Sequence, residues 1–344
     1  MKPQTNSTPI SNLIFQFNNG SATPAGTAAN NTYTVSFGNS GTTQLIVLDG
    51  GTKGIEMANQ TNGAKGELKV VFGADWRDPN RQFHLNLSKS AGDFSFKGNI
   101  VIQAGKGNPR DANKNSTFVG DFGKKVEGSI TIDGNDTNGW NQSGHRTNLT
   151  FTNDAGLEGS LTTKAGTTTA TFARGNITGS VAANNIYGAF SNATNIIKFN
   201  GRDNKIIGNV TAEGGGWQNS LGKNDITFEG NGAISGNISA ASGLGSNSRA
   251  INTITFTKGG TISGNITNNA GINTIMATGQ TLTIGSGSGN KIEVSGGGVA
   301  TNTFSARDLN VNVNNITVIN LLRSTNNNIC LLYTSDAADD LQPV

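Results

Sequence analysis

The segment Asp75-Trp76-Arg77-Asp78-Pro79-Asn80-Arg81-Gln82-Phe83-His84 gathers two carboxylates, two arginines, a tryptophan and a histidine into ten positions. Paired carboxylates near an aromatic platform are what glycoside cleavage or sugar binding uses. On that reading Asp75 and Asp78, with Arg77 or Arg81 beside them, make the chain a polysaccharide lyase or hydrolase. The competing reading is a solvated loop between strands whose charges pair locally. Pro79 signals a turn and no second acidic cluster recurs at regular spacing, so the loop is the simpler account and no catalytic residue is assigned. Trp76, Trp140 near His145 and Arg146, and Trp217 after Gly214-Gly215-Gly216 are the weak binding candidates, and each also reads as a loop residue.

Other signatures of chemistry are missing. The chain has no phosphate-binding G-x-x-x-x-G-K-[ST] loop, no G-x-S-x-G elbow and no H-E-x-x-H helix, and its two histidines, His84 and His145, are far apart. Gly50-Gly51-Thr52-Lys53-Gly54 lacks the carboxylate that a calcium-binding nonapeptide needs. No metal and no cofactor is therefore expected. Asn-x-Ser/Thr triplets such as Asn265-Ile266-Thr267 fall inside repeated units, which argues against glycan attachment. Basic residues are scattered, with Lys124-Lys125 the densest pair, so the pI of 8.9 does not imply nucleic-acid binding.

The elements that must carry these residues follow from composition. Of 344 residues, 48 are Gly and as many are Asn, while 34% are hydrophobic and only 14% charged. That is too little apolar material for two ordinary cores and too little charge for a typical disordered chain. Many short strands with tight turns fit these proportions, because Gly and Asn accept backbone conformations that other residues resist. A coiled coil is excluded by composition, and no apolar run approaches the roughly 20 residues of a membrane helix.

A repeat organises the strands. Asn224-Asp225-Ile226-Thr227-Phe228 followed by Ala233-Ile234-Ser235-Gly236-Asn237-Ile238-Ser239 returns as Asn252-Thr253-Ile254-Thr255-Phe256 followed by Thr261-Ile262-Ser263-Gly264-Asn265-Ile266-Thr267, 28 positions later. Drifted copies run backwards through Ile196-Ile197-Lys198-Phe199, Thr169-Ala170-Thr171-Phe172 and Asn148-Leu149-Thr150-Phe151. The Gly-Asn/Ser landmark recurs at Gly98, Gly128, Gly159, Gly179, Gly208, Gly236 and Gly264. Period-2 alternation marks each unit as strands with one buried face. One unit cannot bury its few inward side chains alone, so units must stack. The predicted fold is all-β, a right-handed parallel β-helix of about 20–30 residues per rung. At a rung spacing of about 4.8 Å, Phe172, Phe199, Phe228 and Phe256 are expected to form an aromatic stack, and Asn209, Asn237 and Asn265 an amide ladder.

This Asn-rich, cysteine-poor repeat resembles the passenger region of bacterial autotransporters, in particular the large Asn-rich proteins of Helicobacter and Campylobacter type. The likeness covers roughly residues 90–285 and specifies architecture better than function. It implies type V secretion, display at the cell surface and a C-terminal membrane β-barrel, which would be this protein's contact with the membrane. The implied function is adhesion or cell–cell aggregation, with host or bacterial surface molecules, or further copies of itself, as partners. A toxin-like passenger is the further alternative, though no amphipathic or apolar segment here supports it.

Residues 330–344 break from the preceding texture. Cys330-Leu331-Leu332-Tyr333-Thr334-Ser335-Asp336-Ala337-Ala338-Asp339 reads as a translated transposon-end sequencing adapter, so this tail is expected to be non-native. Removing Asp336, Asp339 and Asp340 moves the formal charge from +3 to +6, and the rest has no cysteine for a disulfide, thiolate metal site or nucleophile. The start, Met1-Lys2-Pro3-Gln4-Thr5-Asn6, has no signal-peptide pattern, and truncation at both ends is expected to account for the missing signal and barrel. The expected organisation is then N-terminal strands or a cap over 1–60, repeats over 61–285, last partial rungs with an open end over 286–329, and the tail.

Overall fold

A computed structural model describes residues 12–16, 32–37, 45–57, 59, 63–72, 81–104, 116–134, 144–185, 192–216, 219–244, 247–286, 289–296, 300–313 and 315–318. Among the described residues there is no helix; strands stack in parallel into a β-solenoid with three faces.

The first face carries the longest strands, among them Arg81–Leu87, Ser116–Phe122, Gly166–Phe172, Asn192–Phe199, Leu221–Phe228 and Arg249–Phe256. The second carries short strands such as Phe96–Lys97, Asp203–Ile206, Asn231–Ile234 and Gly260–Ile262, linked by single bridges at Leu157 and Ile177. The third is an eleven-stranded sheet running from Thr32–Ser36 to Asn315–Val318. Towards the C-terminus the strands Ile272–Ile284 and Thr301–Val311 continue from the first face onto the second without a break. Thr301–Val311 pairs on one side only among the described residues. Leu45–Asp49, inside the 1–60 segment, already pairs with Arg81–Leu87 in the first-face sheet.

Alternating burial explains why these segments are strands. In Leu221–Phe228 every second side chain points inward, ending at Ile226 and Phe228, while Lys223, Asp225 and Thr227 point out. Most inward apolar residues of the three faces fuse into one narrow core along the rod, with Ala212, Ala240 and Ala250 forming a small separate cluster. No rung could bury that surface by itself, which is why the scarcity of apolar residues is compatible with a folded chain.

The three corners differ. Between the second and third faces the spacing is four residues in every rung from Phe96–Ile100 through Val126–Ile130, Leu157–Leu161 and Ile234–Ile238 to Ile262–Ile266. Here the glycines come within contact of the rung before: a Cβ at Gly236 would lie 2.2 Å from the Gly208 carbonyl oxygen, and one at Gly264 2.3 Å from that of Gly236. Real Cβ atoms do not approach so closely, so the landmark glycine is required by rung spacing. Between the third and first faces, by contrast, Ile130 to Phe151 spans 21 residues and Leu161 to Phe172 only 11, although all four side chains occupy equivalent inward positions. Variation in rung length is largest at that edge; the corner between the first and second faces varies over a narrower range, from four residues at Phe122–Val126 to nine at Leu87–Phe96.

Candidate functional site

Phe172, Phe199, Phe228 and Phe256 stack face to face, with ring centroids 4.9, 4.7 and 5.0 Å apart and neighbouring planes within 24° of parallel. The column extends back through Phe151, 4.3 Å from Phe172, to Phe122. Each offset pair adds roughly 0.5–1.5 kcal/mol beyond the area it buries. These rings are inside the rod and present nothing to a ligand.

Asn209, Asn237 and Asn265 line the tight corner on the outside. Each side-chain oxygen accepts the backbone N–H of its counterpart one rung on: Asn237 N–H to Asn209 Oδ1 at 2.9 Å, Asn265 N–H to Asn237 Oδ1 at 2.8 Å and Lys291 N–H to Asn265 Oδ1 at 2.8 Å. Serine hydroxyls continue the series backwards, with Asn209 N–H to Ser180 Oγ and Ser180 N–H to Ser160 Oγ. The ladder is therefore side chain to backbone, and it satisfies corner N–H groups that no strand partner reaches.

A second ladder, of true amide-to-amide bonds, runs inside the rod and was not read from the sequence. Asn195, Asn224, Asn252, Asn273 and Asn302 are all buried. Nδ2 of each of the first four donates to Oδ1 of the next, at 2.8, 2.8, 2.9 and 2.9 Å. The remaining Nδ2 hydrogens go to third-face carbonyls: Ala182, Thr211, Ser239 and Thr267 for Asn195 to Asn273, and Glu293 for Asn302. Thr163 Oγ1 donates to Asn195 Oδ1 and closes the upper end. The same inward column holds Phe83 and Phe118 earlier in the chain, then Thr147 and Thr168, so its chemistry passes from aromatic to hydroxyl to amide along the rod.

At that transition sits His145. Read from the sequence as a loop residue, it is fully buried, with Nδ1 2.7 Å from Ser116 Oγ, Nε2 3.0 Å from Thr147 Oγ1 and its ring against Phe72. Burial pushes its pKa down to about 3, so the imidazole is neutral. A serine–histidine pair this deep has no access to substrate. Arg146 opens the strand Arg146–Phe151 and is not a loop residue either.

Asp75, Trp76, Arg77, Asp78, Trp140 and Trp217 lie outside the described residues. Arg81 opens the strand Arg81–Leu87 as a buried side chain whose guanidinium carbon is 6.0 Å from the centre of the Phe37 ring. It therefore faces inward, whereas His84 faces out and bonds Asp121 Oδ2 through Nε2 at 2.7 Å. Lys97 pairs with Glu56 at 2.8 Å, and Lys125 with Glu127 and Glu158 at 2.9 and 3.2 Å, forming a charged row down the second face. The hydrogen bond to Glu127, then that to Glu158, raises the Lys125 ammonium pKa. Among the described residues no group of three His, Cys, Asp or Glu side chains could hold a metal ion.

One geometric fact joins the scattered candidates. The described residues flanking Asp75–Asp78, Trp140 and Trp217 are Phe72 and Arg81, Gly134 and Gly144, and Gly216 and Asn219. All three pairs connect a third-face strand to a first-face strand. In sequence, every tryptophan of the chain thus falls between a third-face strand and a first-face strand, the connection whose length varies most.

The class defined by these features is a parallel β-helical repeat protein. Comparison of the chain with protein-family models, with curated proteins and with solved structures finds no match.

Proposed function

We propose that the chain is part of a surface-displayed β-helical passenger that works without catalysis, as a rigid rod presenting contact segments for adhesion or cell–cell aggregation. The observation that carries this reading is that the connections from third-face to first-face strands vary most in length along the rod, and that all three tryptophans fall in such connections in the sequence. Loops on a rigid scaffold are where recognition residues concentrate, and amphipathic tryptophan is favoured at contact surfaces. The Asn-rich repeat adds its resemblance to autotransporter passengers.

The test uses the scaffold's own alternative. Lys164 and Ala165 close this edge in two residues, so segments 105–115 and 135–143 can each be replaced by such a turn. Beads coated with the parent chain are expected to adhere to epithelial cells or to bacteria, and beads with the shortened chain to lose that adhesion while circular dichroism remains unchanged. Undiminished adhesion with an intact fold would refute the assignment of contact to the edge. Reading the gene in both directions tests the address: an export signal upstream and barrel strands downstream are expected.

A further inference from the structure

The second face, away from the variable edge, carries a groove of about 350 Å³ lined across four rungs by Asp203, Lys205, Asn231, Ala233, Lys258 and Thr261, with Thr281 and Thr283 beyond. From this groove we infer a binding site for a linear acidic polysaccharide, lying along the rod axis with its carboxylate or sulfate groups on Lys205 and Lys258 and its hydroxyls on Asp203 and Asn231. The site is independent of the loops and of how the protein is displayed.

Three observations support it. First, the floor is bare: Ala233 shares an outward column with Lys205 and Thr261, and Gly259, at φ +124°, holds a conformation that side-chain-bearing residues rarely adopt. Second, the Lys205 and Lys258 side chains are exposed, and neither ammonium group has a carboxylate partner among the described residues. Lys97 and Lys125 on this face, by contrast, are paired with carboxylates. Third, Asp203 is held beside Asn231, whose Nδ2 is 3.4 Å from Asp203 Oδ1. A carboxylate and an amide side by side accept from and donate to sugar hydroxyls.

The dimensions favour a saccharide over other polyanions. The rungs are about 4.8 Å apart, close to the length of one pyranose in an extended chain, so successive sugars can meet equivalent positions on successive rungs. The groove has no aromatic side chain, and single-stranded nucleic acid is held largely by base stacking on such platforms. A volume of this size suits a short run of sugars and is small for a protein partner.

Calorimetric titration of the full chain with a sulfated heparin hexasaccharide, a hexagalacturonate, neutral dextran oligomers and oligothymidylate tests the site. Saturable binding of at least one acidic saccharide is expected, weakening as salt rises, and the tighter of the two identifies the acidic group. The pair Lys205→Glu and Lys258→Glu is expected to weaken it by about tenfold per lysine, and Ala233→Glu, which fills the floor with a like charge, to abolish it. The charge-matched pair Lys89→Glu and Lys124→Glu, on exposed residues outside the groove, is expected to leave affinity within about twofold. The proposed site is overturned if neither acidic saccharide binds, if both double variants lose affinity equally, or if oligothymidylate binds as tightly with the same dependence on Lys205 and Lys258.

Discussion

Two asparagines of neighbouring repeat units should respond differently to the same substitution. Asn252 is completely buried; its Nδ2 donates to Ser239 O at 2.7 Å and Asn273 Oδ1 at 2.9 Å, while its Oδ1 accepts from Asn224 Nδ2 at 2.8 Å. Asn252→Asp is nearly isosteric but replaces a double donor by an oxygen facing two acceptors. Each buried group left unpaired costs about 1–3 kcal/mol, more when charge is involved, so a loss of about 3–6 kcal/mol is expected at neutral pH. Asn237 is exposed, and of its side chain only Oδ1 is engaged, by the Asn265 N–H. A carboxylate accepts that bond at least as well, so Asn237→Asp should stay within about 0.5 kcal/mol of the parent. In the Asn252→Asp variant, protonation of the introduced carboxylate returns one donor to the ladder, which lifts its folded-state pKa above the ordinary value of about 3.9. The folded state then holds the proton more tightly than the unfolded one. Stability of the variant is therefore highest below the unfolded pKa and is lost as pH rises through the folded one. Urea unfolding at pH 7 and pH 4.5 measures both effects, and hydrogen exchange around residues 224–273 detects local opening, which stacked repeats permit. Equal stability of the two variants at pH 7, or an Asn252→Asp penalty that ignores pH, would refute the buried ladder.

The other elements make further predictions. Gly236→Ala, whose Cβ would meet the Gly208 carbonyl oxygen at 2.2 Å, should separate two rungs and cost several kcal/mol, whereas Gly216→Ala, with nothing within 4 Å, should be neutral; thermal melts of the pair decide it. Phe199→Ala removes a ring stacked on both sides and should cost about 3–5 kcal/mol, while Phe199→Leu should recover much of that in the same urea titration. His145 has a depressed folded-state pKa, so its contribution is full above the unfolded value near 6.5 and fades as pH falls towards about 3. On the order of 3–5 kcal/mol should be lost across that window, and His145→Gln should flatten the acid limb of the stability–pH curve.

The repeat made the architecture legible because it fixes two things at once, the strand and its stacking partner. Ile254 and Phe256 alternate with threonines, and a copy 28 residues earlier supplies the neighbour. The buried asparagines were equally present in that pattern. Asn252 lies two positions before Ile254 and four before Phe256, hence on the inward side. Their role escapes a reading of one unit at a time, since an isolated buried amide is unfavourable and becomes acceptable only when the next rung supplies its partner. The exposed Gly-Asn landmark was more conspicuous and drew the ladder to Asn209, Asn237 and Asn265. His145 had no repeat to place it, because it sits where the inward column changes from Phe118 to Thr147. Early rungs are fainter for a related reason: Leu87 takes the place of phenylalanine, and Gly50 leaves room for it, a Cβ there lying 2.1 Å from a Leu87 methyl.

The buried ladder also accounts for the contrast between corners. A one-residue change at the tight corner would turn every inward isoleucine of the following strand outward, so its length is fixed by packing. At the variable edge the strands are joined across the loop by amides: Asn224 reaches the Thr211 carbonyl 13 residues back, Asn273 reaches Thr267 over 6, and Asn302 reaches Glu293 over 9. The same bond closes intervals of different length. Because the entropy of closing a longer loop grows only slowly with its length, the segment between the clamped strands can change in length and composition with little effect on the rungs. A rod built this way separates the residues that hold its shape from those that can diversify, and the widest range of connection lengths falls along one edge.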